Sequence, residues 1–403
     1  MTKSHRSRSA SSLREITLRL DALTYGGDAL GRADGQAVFV ASGIAGELVR
    51  VQIVEEHEHF ARARVLEVIE PSPDRVPPRC PYFGFEATAC GGCHWQHIDY
   101  AAQLRFKTEI VREQLRRIGR IMDAPVRDIL PAPNPWAYRN QARFSLTPEG
   151  RPGFQAARSH RVVPIEVCHI VEPSILEWLA ANQRISESSS DQISVRAFDL
   201  HTREAGSPTA NFHPSTSHLQ IKDAVFQVSA ESFFQVNTPL IETLINQVLD
   251  NLDVREGQLV LDAYCGVGLF SRFIAPQAAR VIGIESSRSA IDDACVNLAQ
   301  FDRVDLRAGL VEEVLPELTT PIDAAVADPP RAGCGPQVIQ ALIDRAVKRL
   351  VYVSCDPATL ARDARQLIDG GYRLVEVQPV DMFPQTYHLE TVTLFLRANQ
   401  VIL

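Results

Sequence analysis

Hydrophobic and polar positions change rhythm along the chain, and the changes divide it. Over residues 15–70 apolar residues alternate with polar ones: Ile16, Leu18 and Leu20, then Ala37 to Val40, then Leu48 to Ile53 and Ala61 to Ile69, with a Tyr25-Gly26-Gly27-Asp28 turn between the first two. Short alternating strands broken by glycine turns predict a small OB-like β-barrel. Pro71, Pro73, Pro77 and Pro78 then punctuate a boundary. From Tyr100 to Arg120 the period lengthens. Leu104, Val111, Leu115 and Ile118 share one helical face, with Arg105, Lys107, Arg112, Arg116 and Arg117 around it. Residues 130–220 are mixed and strand-rich, with a loop-like serine stretch from Ser186 to Ser190. From about residue 238 onward, buried-type strands at 258–262, 279–285, 322–328, 348–354, 372–380 and 390–397 alternate with helical patterns. That alternation predicts an open α/β sheet covered on both faces.

Composition excludes several classes. A chain of 403 residues with 45% hydrophobic and 22% charged residues is an ordinary globular protein of several domains. No stretch approaches the ~20 apolar residues of a membrane span. The start, MTKSHRSRSASS, is basic and Ser-rich without an apolar core, so it reads as a disordered tail rather than a secretory signal. A cytoplasmic setting follows as the expectation, and in a reducing cytosol the eight cysteines become candidates for metal binding or catalysis. The net charge of −8 is uneven. Residues 1–182 hold 23 Lys+Arg against 21 Asp+Glu, and residues 183–403 hold 18 against 28. Arg139, Arg143, Arg151, Arg158 and Arg161 face a single acid, Glu149, with Tyr138, Phe144 and Phe154 interleaved. Arginine forks bind phosphate and aromatic faces stack on unpaired bases, so this segment suits RNA, although a solvated face has the same composition.

Four strand ends carry the chemistry. The strand Gln258–Asp262 runs into Ala263-Tyr264-Cys265-Gly266-Val267-Gly268, and the strand Val281–Ile284 ends in Glu285. A glycine turn after the first strand lets a ligand approach the backbone, and an acid at the second strand end can accept from ribose hydroxyls. Neither a G-x-G-x-x-G fingerprint nor a phosphate loop is present, so a cationic adenosyl ligand without pyrophosphate, S-adenosylmethionine, fits better. After Ala324–Ala327 comes Asp328-Pro329-Pro330-Arg331, where fixed proline backbone can shape a slot for a flat ring. The strand Leu350–Ser354 then delivers Cys355. Carbon 5 of a pyrimidine is a poor nucleophile, and a thiolate adding at carbon 6 would activate it toward a sulfonium methyl. A base must afterwards remove the carbon-5 proton. Glu390, in Phe383-Pro384-Gln385-Thr386-Tyr387-His388-Leu389-Glu390, is the candidate, with His388 as its competitor. Cys80, Cys90, Cys93 and Cys168 offer four thiolates, which suit zinc or an iron–sulfur cluster equally well.

Taken together, Ser232-Phe233-Phe234-Gln235-Val236-Asn237, the DAYCGVG loop, Glu285, DPPRAG, VSCDP with TLARD, and FPQTYHLE resemble, in family order over nearly the whole chain, the RNA 5-methyluridine methyltransferases of 23S rRNA and the tRNA T-loop. The resemblance implies a class I S-adenosylmethionine methyltransferase domain with Rossmann-like α/β fold over 221–403. It implies an N-terminal TRAM barrel over 13–71 after a tail at 1–12, and a small β-rich central domain over 72–220 whose helix 100–120 packs on the catalytic domain. Gln235, Tyr264, Glu285 and Asp328 would contact S-adenosylmethionine, Cys355 would be the nucleophile and Glu390 the proton acceptor. Tyr138-Arg139-Asn140, Gly153-Phe154, Ser159-His160 and Val167-Cys168 resemble parts of the family's central domain. The cysteine arrangement resembles that of the family's iron–sulfur branch, with a longer loop between Cys80 and Cys90 that removes no ligand, and implies a structural [4Fe–4S] cluster on Cys80, Cys90, Cys93 and Cys168. It also favours 23S rRNA as the RNA partner over tRNA, with no membrane and no obligate protein partner. A non-catalytic RNA-binding homologue is the rival of a different class, and an intact Cys355–Glu390 pair argues against it. Two positions depart from the pattern. Leu269 stands where some members carry Asn, and Asp356 replaces the more usual Asn beside the nucleophile.

Overall fold

Apolar alternation in the first segment closes a barrel. Strands β1 (Glu15–Leu23), β2 (Ala29–Ala33), β3 (Gln36–Ala41), β4 (Leu48–Glu56) and β5 (Phe60–Glu70) join in the order β1-β2-β3-β5-β4. Leu18, Leu20, Val38, Val40, Val49, Val51, Ala61 and Ala63 fill its interior, and closure leaves no unpaired edge. This is the barrel expected from the alternation. The adjoining proline-rich stretch is tied back to it: Arg75 donates to the buried Glu47 carboxylate at 2.6 Å. The computed structural model describes residues 14–86, 88–157, 159–185, 192–197 and 216–398. The N-terminal tail, Arg158 and the Ser186–Ser190 stretch lie outside the described residues.

The chain divides into two compact units. Met1–Gln103, Gln155–Val163 and Gln385–Tyr387 form one, and Leu104–Phe154, Pro164–Pro384 and His388–Leu403 form the other. Residues 72–220, expected to be a central domain, are shared between the two. Helix α1 (Tyr100–Arg117) realises the expected 100–120 helix. Strands β6 (Gln141–Leu146), β7 (Pro152–Gln155) and β8 (Val162–Pro164), helix α2 (Pro173–Ala181) and strand β9 (Gln192–Arg196) come next. Strands β6 and β9 pair antiparallel. The aromatics expected to stack on bases lie inside instead. Tyr138 and Phe144 are buried, and Phe144 stacks on Phe154 and Trp178.

The second unit is built on one sheet. A hairpin, β10 (Thr216–Ile221) and β11 (Ala224–Ser229), precedes α3 (Thr238–Leu252), β12 (Leu259–Ala263), α4 (Leu269–Ile274), β13 (Arg280–Glu285), α5 (Arg288–Asn297) and β14 (Val304–Ala308). Then come α6 (Val311–Glu317), β15 (Ala324–Ala327), α7 (Gly335–Asp344), β16 (Arg349–Ser354), α8 (Pro357–Asp369), β17 (Tyr372–Val380) and β18 (Glu390–Arg397). Seven strands order as β14-β13-β12-β15-β16-β18-β17, parallel from β14 to β16 with β18 antiparallel between β16 and β17. The central strands are apolar on both faces because helices cover both. Leu259, Leu261 and Ala263 pack on one side with Val338 and Leu342 and with Val111 and Leu115 of α1. Val260 packs on the other with Ile241, Leu244, Ile245 and Val248 of α3, which recur at helical spacing. Leu269 is buried in that second layer, so the departure there serves packing.

Lys107 corrects the basic-face reading of α1. It is 0% exposed and its ammonium meets the Asp381 carboxylate and the Phe383 carbonyl. Tyr138 donates to the Pro384 carbonyl and Asn237 to that of Met382, both near 3 Å. Three distant side chains therefore fix residues 381–384, the approach to the loop that ends in Glu390.

Candidate active site

Parallel order places the candidate residues side by side. In such sheets ligands bind beyond the carboxyl ends of the strands, where chain order reverses. Here the reversal falls between β12 and β15, since β13 and β14 lie to one side and β15 and β16 to the other. Ala263 is paired with Ala327, and Ala327 with Tyr352. Ser354 is paired with Thr391 of the antiparallel β18. Asp262, Asp328 and Cys355, at or just past the ends of their strands, and Glu390, at the start of the antiparallel β18, thus lie along one edge of four adjacent strands.

The first loop is shaped for a ligand. Tyr264 has φ +67°, a left-handed conformation that costs a non-glycine residue about 1 kcal/mol or more. Gly266, at φ +54°, has nothing within 4 Å of where a Cβ would stand, so backbone faces open space there. Glu285 accepts from the Gly266 N–H at 3.0 Å and the Ser287 N–H at 2.7 Å. A carboxylate has about four lone-pair sites, which leaves capacity for two hydroxyls. Asp262 is buried, accepts from Ser271 through one oxygen, and has no partner on Oδ1. An open backbone cradle, spare carboxylate capacity and a buried orphan oxygen fit a cationic adenosyl cofactor. Gln235 is buried, and its carbonyl accepts from Asn140 at 3.0 Å.

The acids at this edge are held away from their usual behaviour. Burial pushes Asp262 up to about 7, against its Ser271 hydrogen bonds. Burial and the neighbouring Asp262 charge push Asp328 up to about 7. Glu390 is 3% exposed with no partner on Oε1. Burial and then Asp328 raise it well above the carboxylate range, with Arg331 opposing. The Cys355 thiol is pushed up to about 12 by burial, then by Glu390 and Asp328, and Arg331 again opposes. Proximity to a helix start does not rescue the thiolate. Asp356 occupies the N-cap of α8, taking the Ala358 and Thr359 N–H groups at 2.9 and 3.0 Å. Aspartate caps as well as asparagine does, which accounts for the second departure from the family pattern.

Helix α8 also grips the loop after Asp328-Pro329-Pro330. Thr359 donates to the Arg331 carbonyl at 3.2 Å and Arg362 to that of Ala332 at 2.8 Å. The Asp363 carboxylate accepts from the Cys334 N–H and from Tyr352. Gly333, at φ +79°, is required there: a Cβ would stand 2.6 Å from both Arg362 and Asp363. The TLARD run thereby sets the position of Arg331. The Arg331 guanidinium donates to His388 Nδ1 at 2.7 Å. A guanidinium can only donate, so this nitrogen must accept, and its lone pair is taken.

Sequence reasoning missed two residues. Asp293 of α5 receives the Ser229 N–H, the Ser229 and Ser232 hydroxyls and the Gln227 amide at 2.5–3.0 Å. Against the cost of burial, these bonds hold its carboxyl below the usual range. It fixes the loop that presents Gln235. Phe233, 70% exposed beside that glutamine, is a large apolar ring left in water. An acid on the apolar side of a helix with Ala290, Ile291 and Ala294 was the available signal for Asp293.

The metal candidates are divided between the two units. Cys80, Cys90 and Cys93 are half-buried in the first unit, and Cys168 is buried in the second. The Gly92 N–H donates to the Cys90 sulfur at 3.4 Å, and the Tyr82 and Phe83 N–H groups face the Cys80 sulfur. Such donors suit thiolate ligands. Among the described residues no three His, Cys, Asp or Glu side chains are arranged to hold a metal ion, so the geometry does not present a formed site. Among them, too, no helix is long and apolar enough to cross a membrane.

Comparison with known proteins bears on this arrangement. A family described as tRNA (Uracil-5-)-methyltransferase matches residues 178–313 and 318–398, and the TRAM domain matches 13–66. An uncharacterized RNA methyltransferase of Gloeobacter violaceus is 32% identical, over 95% of this chain and 96% of its own. One of Streptomyces avermitilis is 34% identical, over 94% and 98%. A crystal structure of Pyrococcus abyssi tRNA (uracil-54, C5)-methyltransferase in complex with S-adenosyl-L-homocysteine superposes with a TM-score of 0.69 at 23% identity, covering 94% of this chain and all of that one.

Proposed function

This chain belongs to the tRNA (uracil-5-)-methyltransferase family and carries a TRAM domain, and on that premise we propose that it methylates carbon 5 of a uridine in RNA through a covalent intermediate on Cys355. The observation that carries this reading is the run of strand ends bearing Asp262, Asp328, Cys355 and Glu390. Gln235, Tyr264, Glu285 and Asp328 would hold S-adenosylmethionine. Bound there, that cofactor supplies an electrophilic methyl on a sulfonium.

Cys355, only partly buried, gives its proton to solvent, and its sulfur bonds carbon 6, sending the ring electrons toward oxygen 4. Carbon 5 gains enough electron density to take the methyl. Glu390, ionised once positive charge occupies the edge, then accepts the carbon-5 proton. The carbon 5–carbon 6 double bond re-forms as the Cys355 sulfur leaves and regains a proton. Exposed Phe233 suits stacking against the displaced base.

Within the family, we favour 23S rRNA over the tRNA T-loop because the cysteine pattern resembles that of the iron–sulfur branch. Mass mapping of 5-methyluridine in RNA from a deletion strain tests this. One 23S uridine should lose its methyl group while tRNA is unchanged, and loss at the T-loop would instead assign tRNA. A [4Fe–4S] cluster on Cys80, Cys90, Cys93 and Cys168 belongs to the same proposal, resting on donor chemistry, and no step of the reaction passes through it. Protein purified without oxygen should carry about four irons per chain and lose them in Cys90→Ser. Stoichiometric zinc, or no metal, would remove the cluster from the account.

A further inference from the structure

Five carboxyl groups gather along the edge that ends in Cys355. Glu390 faces the thiol from β18, Asp328 from the loop after β15, and Asp356 from the thiol's own turn. Asp262 stands next along the edge, acting on Asp328, and Glu285 acts on Asp262. Arg331, exposed and engaged with His388, acts on the thiol in the opposite sense. Two carboxyl oxygens, Asp262 Oδ1 and Glu390 Oε1, are buried with no hydrogen-bond partner. A buried acid cluster with orphan oxygens holds protons until a positive charge enters. The strand order puts the open Gly266 cradle, where an adenosyl ligand fits, on the same edge.

We propose that this edge senses the charge of the cofactor: Cys355 ionises more readily with a sulfonium cation in the site than with the site empty or holding the neutral thioether product. The inference rests on the cofactor reading given above and deepens it. Its physical basis is Coulombic. A positive charge in a poorly solvated cluster stabilises every neighbouring anion, the thiolate included, and the displaced protons pass to the buffer. The nucleophile is then armed only when a methyl group is available. Once the methyl has gone, the thioether carries no charge, the edge takes protons back, and Cys355 returns to its unreactive thiol.

The two ligands have nearly the same shape and differ in one charge, which makes the test clean. The full-length protein is treated with iodoacetamide over a range of pH, alone, with S-adenosylmethionine, or with S-adenosylhomocysteine. Alkylation of the Cys355 peptide is followed by mass spectrometry, and calorimetry confirms that each ligand binds. With the sulfonium the midpoint of the alkylation profile should move down by about one pH unit or more relative to the thioether. Steric shielding would slow alkylation equally with both ligands without moving the midpoint. Calorimetry in buffers of different ionisation enthalpy should also show proton release with the sulfonium and less with the thioether. Superimposable profiles with both ligands bound would overturn the inference alone. Failure of both to bind would overturn the cofactor reading and the inference with it.

Discussion

Cys355→Ala is expected to lower methyl transfer to RNA by about 10⁴-fold or more while leaving RNA affinity unchanged. Without the sulfur, carbon 5 of uracil keeps its poor nucleophilicity, and no neighbouring side chain can substitute. Ser354 spends its hydroxyl on the Asp356 carbonyl at 3.0 Å, and an alcohol is in any case a far weaker nucleophile than a thiolate. The fold should tolerate the change, because α8 is capped by Asp356 rather than by Cys355. Formation of 5-methyluridine by mass spectrometry reads the first effect and filter binding the second. Turnover within tenfold of the parent would remove Cys355 from the reaction.

Glu390→Gln should separate the two halves of the reaction. Its side chain is 3% exposed, and glutamine fills the same volume. The variant keeps packing and loses the group that takes the carbon-5 proton. General base catalysis contributes about 10²–10⁴-fold, so turnover should fall by that amount. Sulfur addition, which precedes the base, should persist. It should even be eased, since the Glu390 charge is one of those that raise the thiol. An RNA–protein species that survives denaturing electrophoresis should therefore accumulate with unmodified RNA and cofactor. Normal turnover in Glu390→Gln would hand the role to another base, and His388 would be tested first despite its Arg331 contact.

Much of this site was legible from residue order because the central strands are buried on both faces. Residues 259–261, 324–327 and 350–353 read as continuous apolar runs, and the residues just after each run must lie at the carboxyl edge. The edge strand Val304–Ala308 carries Asp305 and Arg307 and is not fully buried, so no such run announced it. Tertiary contacts erased other signals. Lys107 looks like one more cation on a basic helix until Asp381, 274 positions away, is found against it. Tyr138 and Phe144 sit among arginines in sequence yet turn into the core. Asp293 could not be recognised as the anchor of the Ser229–Ser232 turn from local pattern, because its donors lie more than 60 residues earlier. Motif order found the residues that end the strands. It could not find the ones that hold them there, or show that burial and neighbouring acids push the Cys355 thiol up.

The central claim is that Cys355 bonds to carbon 6 of a uridine in RNA. Substrate RNA containing 5-fluorouridine tests it most directly, because fluorine cannot be removed as a proton and the adduct has no exit. Incubated with this RNA and S-adenosylmethionine, the protein should form a denaturation-resistant complex whose digestion yields a Cys355 peptide carrying methylated fluorouridine. No complex with RNA that the protein demonstrably binds, or attachment at another residue, would contradict the account.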